Sequence, residues 1–241
     1  VTYGSSIFYG CDSLEKVIFE EGITTIKARL LSERKGLKEV VLPSTLTTIK
    51  HGAFQYCISL NKIVIPSSVK IIEDYAFNSC TSLQSIRLAD NITSIGAYAF
   101  SGCSSLSTIH IPGSVKSIGD YAFNACSKLA FVNLSEGIEK IGNYAFRNCS
   151  KLTQITIPST ITHIRSYAFY SCNALKAVYV AAATPPVLGS SVFNPSITKC
   201  YLDCGLMTNY LASSAWCNMF GGFVEQCTQN IHTFDDAQKN A

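Results

Sequence analysis

The chain has 241 residues and a net charge of +3; 47% of its residues are hydrophobic and only 15% are charged. That balance excludes a disordered chain, and so mild a charge gives no reason to expect nucleic acid or an anionic membrane as partner. No run of about 18 apolar residues is present, so no transmembrane segment is expected; the stretch from Ala177 to Leu188 comes nearest and is broken by Thr184-Pro185-Pro186.

One position recurs every 23 residues without insertion or deletion: Phe8, Leu31, Phe54, Phe77, Phe100, Phe123, Phe146 and Phe169. A fixed period of this length predicts a solenoid, one elongated body whose coils touch only their neighbours. The chain opens inside a repeat, with Tyr3-Gly4 where later coils have Ile-Gly, so a signal or anchor is expected upstream of Val1. Three residues after the anchor comes Cys11, Cys57, Cys80, Cys103, Cys126, Cys149 or Cys172, and six after it always Leu. A spacing of three suits a short 3₁₀ or turn segment. Nine and eleven residues on, branched apolar residues flank one variable residue, as in Ile63-Val64-Ile65 and Ile155-Thr156-Ile157. That is strand periodicity, and stacking predicts a parallel sheet on one face with strands about 4.8 Å apart.

Pro43, Pro66, Pro112 and Pro158 end pairing after the strand. Two further apolar positions follow, then Gly96, Gly119 and Gly142, which read as turn residues at unusual backbone angles. Each coil thus turns about eight side chains inward. Buried aliphatic and aromatic groups contribute about 1.5–3 kcal/mol each, but a lone coil cannot cover its own flat faces, so the stack is the stable unit. Coil two is irregular, with Leu31 for Phe and Arg34 for Cys, yet Leu37, Val40, Leu42, Leu46 and Ile49 keep register.

After Tyr179-Val180 the pattern fails. Val187, Val192 and Phe193 read as one last degenerate coil, displaced by one residue, and Leu206, Tyr210, Leu211, Trp216 and Phe220 show roughly helical spacing. Residues 1–198 are therefore assigned to the solenoid, about eight regular coils plus one degenerate. Residues 199–227 are read as a C-terminal cap with a short helix, and 228–241 as a polar tail.

The unit Tyr-Ala-Phe-x-x-Cys-x-x-Leu-x-x-Ile-x-Ile-Pro-x-Ser-Val-x-x-Ile-Gly is complete in Tyr98 to Gly119 and close in Tyr75 to Gly96 and Tyr121 to Gly142. It resembles the BspA-like leucine-rich repeat family over about residues 5 to 180. The stretch from Cys200 to Phe220 resembles the end of such proteins in gut and oral Bacteroidetes, with three extra cysteines. Related repeats also occur in parasitic protists. The resemblance implies a right-handed leucine-rich-repeat superhelix, with a parallel sheet on one face and short 3₁₀ or turn segments on the other. It also implies a non-catalytic, surface-exposed or secreted protein of adhesion or host interaction, with no cofactor. Leucine-rich repeats usually carry Asn or Cys after the strand. Here that place holds Thr45, Ser68, Asn91, Ser114, Gly137 and Thr160, so no standard asparagine ladder is expected.

The variable strand position faces outward: Ile18, Val41, Val64, Arg87, His110, Asn133, Thr156, Tyr179. Two residues earlier stand Lys16, Glu39, Lys62, Ser85, Thr108, Phe131, Gln154 and Ala177. These rows vary without cost to the fold, so the default binding surface is Arg87, His110, Phe131, Asn133, Gln154, Thr156 and Tyr179, set against a plain solvated sheet face. The ligand class is protein or glycan, host-derived partners included. The apolar run Ile18, Val41 and Val64 suggests self-association or cover by upstream residues.

Tyr75, Tyr98, Tyr121, Tyr144 and Tyr167 form a second row, which reads as coil-edge packing with wet hydroxyls rather than a sugar or peptide site. The 23-residue cysteine interval gives a line of buried thiols, not the tetrahedral cluster that zinc requires. Neighbouring disulfides are not expected there, because stacked side chains run parallel. Cys200, Cys204, Cys217 and Cys227 could make two disulfides in any of three pairings, or bind zinc. His51, His110, His163 and His232 lie in different coils, and no nucleophile, phosphate-loop or metal signature accompanies them. An enzyme is the remote alternative; a spacer displaying an upstream domain is the nearer one. Asn91, Asn133 and Asn148 sit in N-glycosylation sequons, which matter only in a eukaryotic secretory pathway.

Overall fold

The computed structural model describes residues 8–226 apart from 9, 12, 196, 198 and 221. About nine coils of about 23 residues stack in parallel. The predicted long strands run from Lys16–Ile18 through Thr108–Ile111 to Lys199–Asp203, with one inward residue between two exposed ones in the early coils. Their pairing falls into ladders of four, two and four strands, interrupted after Ser85–Arg87 and after Phe131–Leu134.

A second sheet was not legible in the sequence. Eight two-residue strands, from Thr25–Ile26 to Val187–Leu188, form one unbroken parallel ladder. Two residues are too few to display an alternation of period two. Each short strand nevertheless ends on an apolar residue, fully buried in Ile26, Ile49, Ile72 and Ile141.

The third wall is the Tyr-Ala-Phe segment. Its N–H groups alternate between two uses: Tyr75, Phe77 and Ser79 donate to Ala97, Ala99 and Ser101 of the next coil at 2.7–2.9 Å, while Asn78 donates back to Tyr75 and Cys80 to Phe77. The result is single turns, not a 3₁₀ run. This alternation needs left-handed residues at fixed places, and Tyr75, Tyr98, Tyr121, Tyr144 and Tyr167 all have φ of 57–59°. So do Ser79, Ala125, Asn148 and Ser171, at 59–62°, with Gly102 in the same place.

The predicted unusual angles at Gly96, Gly119 and Gly142 are therefore corrected, because none of the three has positive φ. They are needed for close approach instead. A Cβ on Gly96 would lie 2.4 Å from the backbone N of Asp74, and one on Gly119 would lie 2.5 Å from the carbonyl carbon of Gly96. Asp74 uses the room to accept a hydrogen bond from the Ala97 N–H at 2.7 Å, and Asp120 does the same for Asn143 at 2.7 Å.

Inside, the anchors stack as a ladder. Consecutive rings from Phe54 to Phe169 lie 5.0–5.3 Å apart and within 9° of parallel. The ladder continues to Phe193 at 5.3 Å, one residue beyond the period. At the place after the strand where no asparagine ladder is expected, hydroxyls stand instead: Thr45, Ser68, Ser114 and Thr160 each donate to a carbonyl of the preceding coil, at 2.9, 2.6, 2.5 and 2.7 Å.

At the C-terminal end, Lys199–Asp203 continues the long-strand sheet, followed by helices α1 (Met207–Leu211) and α2 (Ser214–Met219) and a final parallel strand, Phe223–Gln226. The Tyr210 hydroxyl donates to the Ala182 carbonyl and the Trp216 indole N–H to the Pro186 carbonyl, both at 2.8 Å. Both side chains are fully buried, so each polar tip needs the partner it has. The polar tail, 228–241, lies outside the described residues.

Two substitutions test the backbone account. Ala125→Gly relieves a left-handed alanine at φ 59° and should stabilise the chain by about 0.5–1 kcal/mol after the added chain entropy of glycine, read as a higher melting temperature. Gly113→Ala should destabilise it by about 1–3 kcal/mol or more, since its Cβ would fall 1.8 Å from the Glu136 carbonyl oxygen.

Candidate functional site

The long-strand sheet presents its variable residues as rows across the coils. Register places Ile18 beside Val41, Val64 beside Arg87, His110 beside Asn133, and Thr156 beside Tyr179. Phe131 and Gln154 stand in the neighbouring row, beside Thr108 and Ala177 respectively. All seven predicted residues therefore share one face. The pairing gaps fall between Arg87 and His110 and between Asn133 and Thr156, so the candidate residues span three ladder segments.

The rows differ in character along their length. Ile18 and Val64 are 64% and 67% exposed, an apolar strip at the N-terminal end. Beside it the charges alternate, and Lys16 pairs with Glu39 at 2.9 Å across adjacent strands. The C-terminal half carries Phe131, which is exposed, and Tyr179.

Sequence reasoning missed the continuation of this half. Tyr201 pairs with Tyr179, their rings stacking at 4.8 Å, and Val224 follows beside Tyr201. The signal was present: Cys200 and Leu202 flank Tyr201 with the same apolar-x-apolar spacing as in every coil. Asp203 faces the same side, and loss of water holds its carboxyl above the usual range.

The cysteine row is structural, and the reason is more specific than packing. Each thiol donates to the carbonyl of the anchor one coil back: Cys80 to Phe54 at 3.1 Å, Cys103 to Phe77 at 3.2 Å, Cys126 to Phe100 at 3.3 Å. Arg34, which replaces Cys in coil two, does the same work: its guanidinium donates to the Phe8 carbonyl. Burial pushes the thiols of Cys57 and Cys103 up to about 12. They are held as inert donors.

In the C-terminal segment, Cys204 is disulfide-bonded, while Cys200 and Cys217 carry free thiols. The expected two disulfides therefore do not form from these four residues. Cys200 is an inward residue of its strand, fully buried beside Val178, and the Cys217 thiol points at the Tyr210 and Leu211 carbonyls. Cys227 lies outside the described residues.

Among the described residues no three of His, Cys, Asp or Glu gather where they could hold a metal ion. No helix there is long and apolar enough to cross a membrane. An open pocket of about 190 Å³ lies against the short-strand sheet between His51, Glu73 and Asp74, where the Glu73 carboxylate accepts from the His51 backbone N–H at 2.8 Å.

The model for the BspA type leucine rich repeat region matches in six copies, over residues 1–130 and 70–198. The chain belongs to the BspA-type leucine-rich repeat family. Among solved structures, this BspA-type chain is similar to a leucine-rich repeat protein from Bacteroides ovatus, at 22% identity and a TM-score of 0.50 over 88% of this chain. It is similar to the T. pallidum leucine rich repeat protein at 25% identity and 0.56 over 75%. It also resembles the pneumococcal vaccine antigen PcpA at 25% and 0.52 over 79%. The chain spans 66%, 76% and 51% of those three proteins. No curated protein matches.

The thiol account carries its own test. In the native protein a thiol reagent at mild pH should label exposed Cys11 and, more slowly, half-buried Cys217, but none of the six core thiols from Cys57 to Cys172 until denaturant is added. Burial raises the Cys103 thiol from its ordinary value of 9.0 to about 12. The native state therefore keeps a proton that the unfolded chain gives up as pH rises past 9. This contribution is fully present below pH 9 and lost between about 9 and 12. Urea midpoints should fall across that window, and less steeply in Cys103→Ala.

Proposed function

We propose that the chain is a non-catalytic interaction module, displayed on a cell surface or secreted, that binds a protein or glycan through the outward face of its long-strand sheet. The contact set is Arg87, His110, Phe131, Asn133, Gln154, Thr156 and Tyr179, extended by Tyr201. One observation carries the reading. The inward rows repeat the same or a closely similar side chain through the regular coils, as buried Phe, Cys, Leu, Ile or Val, whereas the outward sheet rows range from Lys, Glu and Arg to Val, Phe and Tyr. A rigid scaffold with one freely varying face is the usual form of a solenoid binding surface. Beyond the apolar strip the face combines aromatic rings and Arg, residue types that carry most interface energy, with His and amides. Membership of a family of surface repeat proteins and similarity to a pneumococcal vaccine antigen support display outside the cell.

A second reading rests on Ile18, Val41 and Val64, which stand side by side with 41–67% of their surface exposed. Such a strip suits a second copy of the chain. Val64→Glu should then shift a dimer to monomer in sedimentation equilibrium, and a chain that sediments as a monomer before the change ends this reading.

To test the first reading, wild type and the Arg87→Ala/His110→Ala/Phe131→Ala/Tyr179→Ala variant are compared on a glycan array and on a panel of immobilised extracellular proteins. The variant should bind at least about tenfold more weakly to whichever probe the wild type selects. A control altered at exposed Ser94 and Lys140, on the short-strand sheet, should bind unchanged. Equal binding by the sheet-face variant would move the site elsewhere.

A further inference from the structure

The tyrosine row belongs neither to the core nor to the sheet face. Tyr75, Tyr98, Tyr121, Tyr144 and Tyr167 stand one per coil, with successive ring centroids at 4.7, 4.5, 4.5 and 4.8 Å and planes within 11° of parallel. All five rings are half-exposed, and His51 and Tyr170 close the two ends of the row at 5.3 and 5.5 Å. The backbone N–H at each tyrosine makes its own bond to the next coil, and side-chain hydrogen bonds link Tyr121 to Tyr98 and to Tyr144. The row is an exposed array of phenols at contact spacing.

We infer that this row is a site of oxidative cross-linking, at which a peroxidase using hydrogen peroxide joins tyrosines of consecutive coils through their ring carbons. Each of two tyrosines gives up one electron and its hydroxyl proton. The peroxide takes both electrons and both protons and leaves as two waters. The two phenoxyl radicals then form one carbon–carbon bond ortho to their oxygens. The hydrogen on each joined carbon moves to oxygen through water and restores both phenols, so the product has lost two hydrogens.

Three features favour the reaction here. Stacked rings pass an electron vacancy from one to the next, so two radicals formed anywhere along the row can meet. The torsion that turns a tyrosine ring is soft, and half-exposed rings can swing from face-to-face to edge-to-edge without disturbing the core. Of the competing thiols, the six from Cys57 to Cys172 are buried away from the oxidant, which leaves exposed Cys11 and half-buried Cys217 to be blocked with a thiol reagent beforehand. Loss of water and the neighbouring tyrosines hold the hydroxyls of Tyr98 and Tyr144 above the usual phenol range, so the phenol and not the phenolate is the species oxidised.

The inference stands independently of the binding face. Its test treats the full chain, dilute enough to be monomeric, with horseradish peroxidase and hydrogen peroxide, under conditions in which a free tyrosine peptide couples. Trypsin cuts between each pair, for instance at Arg87 between Tyr75 and Tyr98 and at Lys116 between Tyr98 and Tyr121. Mass spectrometry should therefore find intrachain linked peptides two hydrogens light, in at least tenfold excess over any link through Tyr56, which is 43% exposed and has no ring neighbour among the described residues. Tyr121→Phe keeps the ring and loses the hydroxyl. It should abolish the links to Tyr98 and Tyr144 while Tyr75–Tyr98 and Tyr144–Tyr167 persist; Tyr98→Phe should move the gap by one coil. Links between chains only, or Tyr56 coupling as readily as the row, would overturn the assignment.

Discussion

Each coil satisfies its backbone by bonding to the coils on either side, and this fixes everything else. The Phe77 N–H needs the Ala99 carbonyl, Thr93 needs Lys70, and Lys38 needs Glu15, each partner lying 22 or 23 residues away. Through the regular coils that offset holds; in the last coil Val187 and Phe193 fall one residue late and Lys199 one residue early, and the walls still meet. Constant length therefore forces like side chains to stand over like, at the spacing of backbone neighbours. For apolar and aromatic residues this is favourable, and phenylalanine lies on phenylalanine, tyrosine on tyrosine. For charge it is not, because like charges directly opposite on adjacent strands repel. The chain keeps its charge low, and where charge enters the sheet rows early it alternates: Lys16, Glu39, Lys62.

The same constraint explains why so much of the fold could be read in advance. Period, long strands, inward leucines and anchors are all properties of spacing, and spacing is visible in one sequence. What stayed hidden depends on geometry between coils. The short-strand sheet was hidden because two residues carry no periodicity. The left-handed tyrosines were hidden because tyrosine gives no local hint of positive φ; the conformation is imposed by alternating bonds to the next coil. Gly96 and Gly119 were visible as glycines, but their reason, a neighbouring backbone within 2.5 Å of any Cβ, lies in the stacking. Arg34 stands out in the sequence as a variation within coil two that keeps register. It is a replacement donor to the Phe8 carbonyl, so the cysteine row is defined by the bond it makes rather than by its sulfur.

Of the candidate site, the outward direction of each residue was legible because strand alternation sets it, and the positions of Arg87, His110 and Asn133 follow directly. The extent of the face was not. Tyr201 and Val224 join it because the chain returns to the sheet after the last regular coil, with α1 and α2 folded over the end and Phe223–Gln226 laid down as a further strand. Trp216 and Tyr210 make this return possible by bonding the Pro186 and Ala182 carbonyls, groups left without a neighbouring coil to meet them. The closing segment therefore both protects the open end and adds an aromatic position to the face.

A stack of this kind separates stability from recognition more cleanly than a globular core does. The inward rows are so constrained that a substitution there changes the fit of three coils, its own and one on each side. An outward strand residue points away from the packed interior, so Thr156 can change without any inward residue having to move. The break in pairing between Arg87 and His110 costs some ladder bonds, yet the Phe77–Phe100 stacking runs through it undisturbed at 5.2 Å. The core, not the sheet, keeps the face continuous. That is why a surface of unrelated side chains can be carried on a scaffold whose interior hardly varies.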